Sequence, residues 1–169
     1  MSRTLIVVDM QNDFIDGSLG TKEAQNIVPN VAKKINEYQD RGDKIIFTRD
    51  THDTNYLNTP EGKKLPVEHC IYGTQGWEIA DGLEVENCHY VDKPTFGWTH
   101  WSDLIFEDEI ELVGLCTDIC VVSNALILKA TYPNADIIVD ASCCAGVTPE
   151  THKAALETMK MCQINVIGE

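Results

Sequence analysis

An α/β fold is predicted for this chain: a three-layer, mostly parallel, doubly wound sheet with helices on both faces. Three observations predict it. Near-continuous apolar runs of strand length recur from one end of the sequence to the other, as expected of strands covered on both faces. Stretches with apolar residues at helical spacing lie between them, and such alternation builds parallel sheets. No repeat, low-complexity tract or shift of composition divides the 169 residues, which read as a single domain over 1–169 with enough apolar residues (43%) for one core.

The first strand is Thr4-Leu5-Ile6-Val7-Val8. Pro29 suits the first turn of a helix, Val31, Ile35 and Tyr38 follow at helical spacing, and Gly42 stands where a C-terminal glycine belongs. Lys44-Ile45-Ile46-Phe47-Thr48 is the second strand. Residues 49–82 form a long polar connection, and loops of that length are uncommon unless they are functional. Glu86 to Val91 is a weaker strand. Ile110-Glu111-Leu112-Val113 makes the next, leading through GLCTDIC (114–120) into a helix that carries Val121, Val122, Ala125, Leu126, Leu128 and Ala130. After the strand Asp136-Ile137-Ile138-Val139, Thr148-Pro149-Glu150 supplies an N-cap, a first-turn proline and an acid at the positive helix end, followed by Ala154, Ala155, Met159 and Cys162. Asn165-Val166-Ile167 closes the chain as a short strand.

Charge and cysteine usage exclude several classes. A formal charge of −14 repels polyphosphates, and no Lys/Arg cluster overrides it locally, so nucleic acid is not an expected partner. The apolar run in MSRTLIVVDMQ is too short for a signal peptide and ends in Asp9, and no stretch approaches the roughly 18 apolar residues of a membrane span. A soluble cytoplasmic protein without a membrane partner is expected. Seven cysteines, an odd count without regular spacing, predict free thiols there. Such folds commonly form homo-oligomers, but no interface is readable in the sequence.

In parallel sheets ligands collect at the carboxyl ends of the strands. That rim would hold Asp9 after the first strand, Asp50 and His52 after the second, Lys93 after the third, Cys120 after the fourth and Asp140 after the fifth. A cysteine in a helical first turn, with Asp118 as N-cap and a lysine nearby, is expected to be acidified, and the thiolate is the nucleophile. Asp9 would take a proton from the thiol and later deliver it to a departing amine. The backbone N–H groups of Cys116 and Cys120 suit an oxyanion hole. Singly, each residue has a plain reading: Cys120 as a small buried hydrophobe, Asp9 as a turn aspartate, Lys93 as a surface lysine. Asp50-x-His52, with His69 seventeen residues on, offers three ligands for a metal, and Glu61 a further one directly or through water. Cys116 and Cys120 lack the second Cys/His pair of a zinc site, while His89, His100 and His152 read as structural or surface residues.

VVDMQNDF near the start, a lysine after the third strand and GLCTDICV after the fourth together resemble the isochorismatase-like cysteine hydrolases over essentially the whole chain. The added Asp50, His52 and His69 resemble the nicotinamidase, or pyrazinamidase, branch, which hydrolyses nicotinamide to nicotinate and ammonia and so feeds NAD salvage. This resemblance implies a Rossmann-like strand order, a triad of Asp9, Lys93 and Cys120, a thioester intermediate and a cis peptide at Leu115-Cys116. It also implies a bound zinc, iron or manganese that receives the pyridine nitrogen, with Phe14 packed on the substrate ring and Trp98 covering its other face. The chain departs from the family's pattern twice: SNA (123–125) replaces a Thr-Ala pair, and KPTFGWTHW (93–101) lacks the expected serine. Isochorismate, N-carbamoylsarcosine, ureido compounds and other small amides are alternative substrates of such a triad. A catalytically dormant binding or assembly module, or a flavodoxin-like binding protein, would use the fold without the chemistry.

Overall fold

The computed structural model describes residues 2–169. Six strands, β1 (Arg3–Val8), β2 (Lys44–Asp50), β3 (His89–Lys93), β4 (Glu109–Leu115), β5 (Asp136–Ala145) and β6 (Asn165–Ile167), form one sheet in the order β3-β2-β1-β4-β5-β6. Every pairing is parallel, where a mostly parallel sheet was expected. The helices are α1 (Asn12–Ile15), α2 (Lys22–Arg41), α3 (Pro60–Lys64), α4 (Val122–Thr131) and α5 (Pro149–Met161).

The unbroken apolar runs follow from cover on both faces. Leu5, Val7 and Phe47 pack with the buried stripe of α2, Ala24, Ile27, Val31, Ile35 and Tyr38. Ile6, Val8 and Leu112 point the other way, toward Ala125 and Leu128 of α4 and Leu156 and Met159 of α5. Successive strand residues thus enter opposite cores, both built of apolar side chains.

Several boundaries differ from the sequence-based expectation. Helix α2 starts at Lys22, where the Thr21 hydroxyl accepts from the Ala24 N–H at 3.0 Å, so Pro29 lies inside the helix instead of opening it. The proline removes the bond to the Gln25 carbonyl, a local loss outweighed by the continuous apolar stripe on either side. Gly42 ends α2 in the left-handed region (φ +74°), as expected. The third strand runs over His89–Lys93 rather than 86–91, which places Lys93 in the strand itself. Strand β5 continues to Ala145 through an irregularity opposite Leu112 and Gly114, so Asp140 is mid-strand and not on the rim. Its carboxylate is held there by Lys34 of α2 (2.9 Å) and by the Ser142 hydroxyl (2.6 Å). In α5 only Ala155, Leu156 and Met159 are buried; Ala154 and Cys162 face solvent.

Register brings the site together. Val8 is level with Thr48 on one side and Gly114 on the other, and Asp50 is level with Lys93, so the carboxyl ends of β1 to β4 meet in one place. At Gly114 the backbone has φ +116°, and a Cβ would collide with the Val8 carbonyl oxygen. Only glycine allows β4 to lie this close to β1 there. Gly114→Ala is therefore expected to cost about 3 kcal/mol and lower the thermal midpoint by roughly 6–12 °C, a melting curve being the check; a change under roughly 2 °C would contradict the close approach.

Candidate active site

Asp9 leaves β1 with φ +48°, a conformation aspartate tolerates better than most residues, and its carboxylate is wholly buried. The Thr48 hydroxyl donates to Asp9 Oδ1 (2.7 Å) and accepts from the Asp9 N–H (3.1 Å). Lys93, equally buried, donates to Asp9 Oδ2 at 2.7 Å, to the Thr95 carbonyl at 3.2 Å and to Cys120 Sγ at 3.4 Å. All three ammonium hydrogens are thus used. Cys120 stands in a π-helical turn (Thr117–Val121) ahead of α4 and is 4% exposed. The three residues proposed from sequence as a triad converge on one point.

Their electrostatics differ from the expectation of an acidified thiol. Burial pushes the Cys120 thiol well above its ordinary range, and the neighbouring Asp9 carboxylate adds to this, while Lys93 only partly opposes it. Asp118 does not cap the turn; its carboxylate accepts from the Val147 N–H at 3.0 Å. Burial also raises Asp9 despite the adjacent Lys93 ammonium. Burial alone would lower Lys93, but the surrounding carboxylate and thiol raise it, so the lysine stays charged. One buried cation supports one buried anion, giving a resting set of thiol, carboxylate and ammonium.

A second cluster adjoins the first. Ligand atoms of Asp50, His52, Glu61 and His69 all lie within 4.8 Å of one another. His52 Nε2 is 3.0 Å from Asp50 Oδ2 and 3.4 Å from Glu61 Oε2, and His69 Nε2 is 3.4 Å from Asp50 Oδ2. His69 Nδ1 is 2.8 Å from the Val67 carbonyl, which aims Nε2 inward, the arrangement that metal-ligating histidines use. The buried Tyr56 ring packs 4.7 Å from His52 and 4.9 Å from His69, holding both imidazoles. Burial would raise Asp50, yet the two histidines and Lys93 hold it down to about 2. Its other oxygen, Oδ1, is buried without a hydrogen-bond partner among the described residues. A buried carboxylate oxygen left unpaired beside two imidazoles and a second carboxylate fits a borderline divalent cation.

Both clusters border a cavity of about 260 Å³ lined by Asp50, Glu61, His69, Cys116 and Cys120 together with apolar side chains such as Phe14, Leu65 and Ile119. Phe14, expected against a substrate ring, is on its wall and lies 5.5 Å from the His69 imidazole. Trp98 does not line the cavity. Its indole packs edge-on against Trp101, and Phe96, two residues earlier, takes the wall position. The Leu115-Cys116 peptide is cis. Asp140 lies away from this cluster on β5, while His152, half-buried, pairs with the Thr117 hydroxyl at 2.7 Å. His89 and His100 are exposed.

Sequence reasoning missed several supporting residues. Gln11 is fully buried, its amide bridging both backbone groups of Asp50 (2.9 and 2.8 Å) and the Trp77 carbonyl (2.8 Å). Thr48 and Tyr56 gave no signal, because their roles depend on strand register and on chain return. Asn124 did give one: it is a polar residue on the apolar stripe of Val121, Ala125 and Leu128.

Comparison with known proteins shows the family and the fold. The isochorismatase domain family matches residues 3–168. A probable inactive nicotinamidase of Arabidopsis thaliana is 32% identical over 92% of this chain and 87% of its own. The crystal structure of a Bacillus subtilis nicotinamidase/pyrazinamidase superposes with a TM-score of 0.86 at 26% identity, over 99% of this chain and 100% of that one. The pyrazinamidase of Pyrococcus horikoshii in complex with zinc superposes at 0.83 with 25% identity over the full length of both. Matched from its first strand to its last, with the site at the carboxyl edge of the shared sheet, this chain belongs to the isochorismatase family.

Proposed function

We propose that this protein is a nicotinamidase that hydrolyses nicotinamide, and pyrazinamide with it, through a thioester on Cys120, supplying nicotinate to NAD salvage. One observation carries the reading: the Asp9–Lys93–Cys120 cluster and the Asp50–His52–Glu61–His69 cluster adjoin along one small, mainly apolar cavity. Among the described residues no lysine or arginine lines that cavity, and Lys93 is already committed to Asp9. A dicarboxylate such as isochorismate, or the carboxylate of N-carbamoylsarcosine, would find no lysine or arginine side chain to pair with, whereas a neutral ring amide needs none. Phe14 and Phe96 offer aromatic walls for a flat ring.

In this mechanism Asp9 accepts the Cys120 proton as sulfur attacks the amide carbon. Carboxylate plus thiol becomes acid plus bound sulfur, and Lys93 stays charged throughout. The backbone N–H groups of Cys116 and Cys120 receive the oxyanion. Asp9 then gives its proton to the amide nitrogen, which departs as ammonia; the same carboxylate takes a proton from water as its oxygen attacks the thioester, and passes that proton to the released sulfur, restoring the thiol. Asp50, His52 and His69, joined by Glu61, would hold one divalent ion, zinc foremost with iron or manganese as alternatives, which when bound supplies a Lewis acid for a pyridine nitrogen. The similarity to a probable inactive Arabidopsis protein keeps a dormant binding module as the second reading; the complete triad favours turnover.

Ammonia release separates these readings. Nicotinamide and pyrazinamide should turn over, Cys120→Ala should lower kcat at least about a thousandfold, and benzamide, lacking the ring nitrogen, should fall at least roughly a hundredfold in kcat/KM. Equal use of benzamide would refute ring orientation through the second cluster, and no turnover of any amide would leave the dormant reading.

The pH profile follows from Asp9. Only the carboxylate can serve as base, so kcat/KM rises with pH through the Asp9 pKa, which burial raises above the ordinary value of about 3.9. The acidic limb should lie above that value, and a limb at or below it would exclude Asp9 as the base.

Protein purified without chelator should carry about one divalent ion per chain by elemental analysis, and stripping it with dipicolinate should abolish turnover and lower the thermal midpoint by a few degrees. An Asp50→Asn variant that kept a full complement of metal would remove the cluster from consideration.

A further inference from the structure

The segments SNA (123–125) and KPTFGWTHW (93–101) touch each other. Asn124, in the SNA segment, is wholly buried, and its amide makes four hydrogen bonds. Its Oδ1 accepts from the Trp98 N–H (2.9 Å) and from Trp101 Nε1 (3.2 Å). Its Nδ2 donates to the Phe96 carbonyl (3.1 Å) and to the Cys120 carbonyl one turn back (2.8 Å). Two donors and two lone pairs exhaust what a carboxamide offers. Three of the four partners lie in KPTFGWTHW, and the fourth is the residue that carries the thiol of the triad. A threonine there has one hydroxyl, which on a helix turns back to the preceding turn's carbonyl, so it would not supply the donor and acceptor pair that holds the loop.

The loop so held forms part of the cavity wall. Phe96, 40% exposed, lines the cavity, while the Thr95 carbonyl beside it accepts from Lys93. Gly97 lets the loop press on α4: a Cβ there would fall 2.5 Å from Ile127 Cδ1. Phe96 is thus fixed on one side by Lys93 and on the other by Asn124.

We infer that Asn124 is a positioning residue for substrate selectivity, fixing the Phe96 wall relative to Cys120 so that the cavity accepts a flat, unsubstituted ring amide and rejects a bulkier one. The inference rests on the nicotinamidase reading for its substrate, though the link between Asn124 and Phe96 can be tested without it. Asn124→Thr keeps a bond to the Cys120 carbonyl and releases the loop. Its KM for nicotinamide should rise about tenfold, the equivalent of one net hydrogen bond, with kcat within roughly twofold and discrimination against a 5-substituted nicotinamide relaxed severalfold. Tryptophan emission should shift as Trp98 and Trp101 lose their acceptor. In a double-mutant cycle, Asn124→Thr on a Phe96→Ala background should change KM less than about twofold, because the wall is already gone.

A fall in kcat at unchanged KM, or full additivity with Phe96→Ala, would overturn the inference. Should Asn124→Thr not fold, Trp101→Phe removes one bond from the loop side and should raise KM roughly threefold; an unchanged KM would again overturn it. If the wild type turns over no pyridine carboxamide, the nicotinamidase reading fails separately. The link is then read on the Cys120 peptide by mass spectrometry, as the alkylation rate with N-phenylmaleimide relative to iodoacetamide. That ratio should increase severalfold in Asn124→Thr, and an unchanged ratio would refute the link.

Discussion

Lys93 and Asp9 form a salt bridge with no solvent exposure on either side chain, and the rest of the site is arranged around that fact. Such a pair is tolerable in a protein interior only if its remaining hydrogen-bonding capacity is met and its net charge stays near zero. Thr48 and the Thr95 carbonyl meet the first condition. The second constrains the chemistry: with one fixed cation, only one of Asp9 and Cys120 can be an anion at a time. Proton transfer from sulfur to carboxylate moves the negative charge without changing the total, so nucleophilic attack brings no new uncompensated charge into the interior. A freely ionised thiol at rest would have violated that balance, which is why burial raises Cys120 even beside a lysine.

The same economy governs the neighbouring cluster. Asp50 is level with Lys93 across the β2–β3 ladder and gains from its charge, while His52, His69 and Glu61 come from the long connection that follows β2. Gln11, remote in sequence, fixes the Asp50 backbone, and Tyr56, within the connection itself, packs against both imidazole rings. Asp50 Oδ1 is buried there without a hydrogen-bond partner among the described residues. Family membership, the donor set and the apolar cavity walls agree in kind, although each rests on a different physical property.

Where sequence reasoning erred, long-range contacts had overruled local signals. Pro29 is a good first-turn residue, but the apolar stripe of α2 extends two turns before it and carries the helix through. Asp140 follows an apolar run and so looked like a rim residue, yet an ion pair with Lys34 of α2 lets it lie within β5. Trp98 and Phe96 are both aromatic and two residues apart; with the loop bonded to Asn124, the first packs edge-on against Trp101 and the second lines the cavity. Asp118 sits where an N-cap belongs, but the loop before α5 offers it the Val147 N–H instead.

From sequence alone the strand and helix periods, the parallel sheet and the residue types at its carboxyl edge could be read, because hydrophobic period and residue chemistry are local properties of a chain. Asp9, Lys93, Cys120, Asp50, His52, Glu61 and His69 were all legible in that sense. The tertiary structure alone decided strand register, the extent of β5, the protonation balance among buried groups and the identity of the aromatic wall. Those depend on distances between segments up to 84 residues apart, as between Lys93 and Asp9, and on how much water folding leaves around each charge.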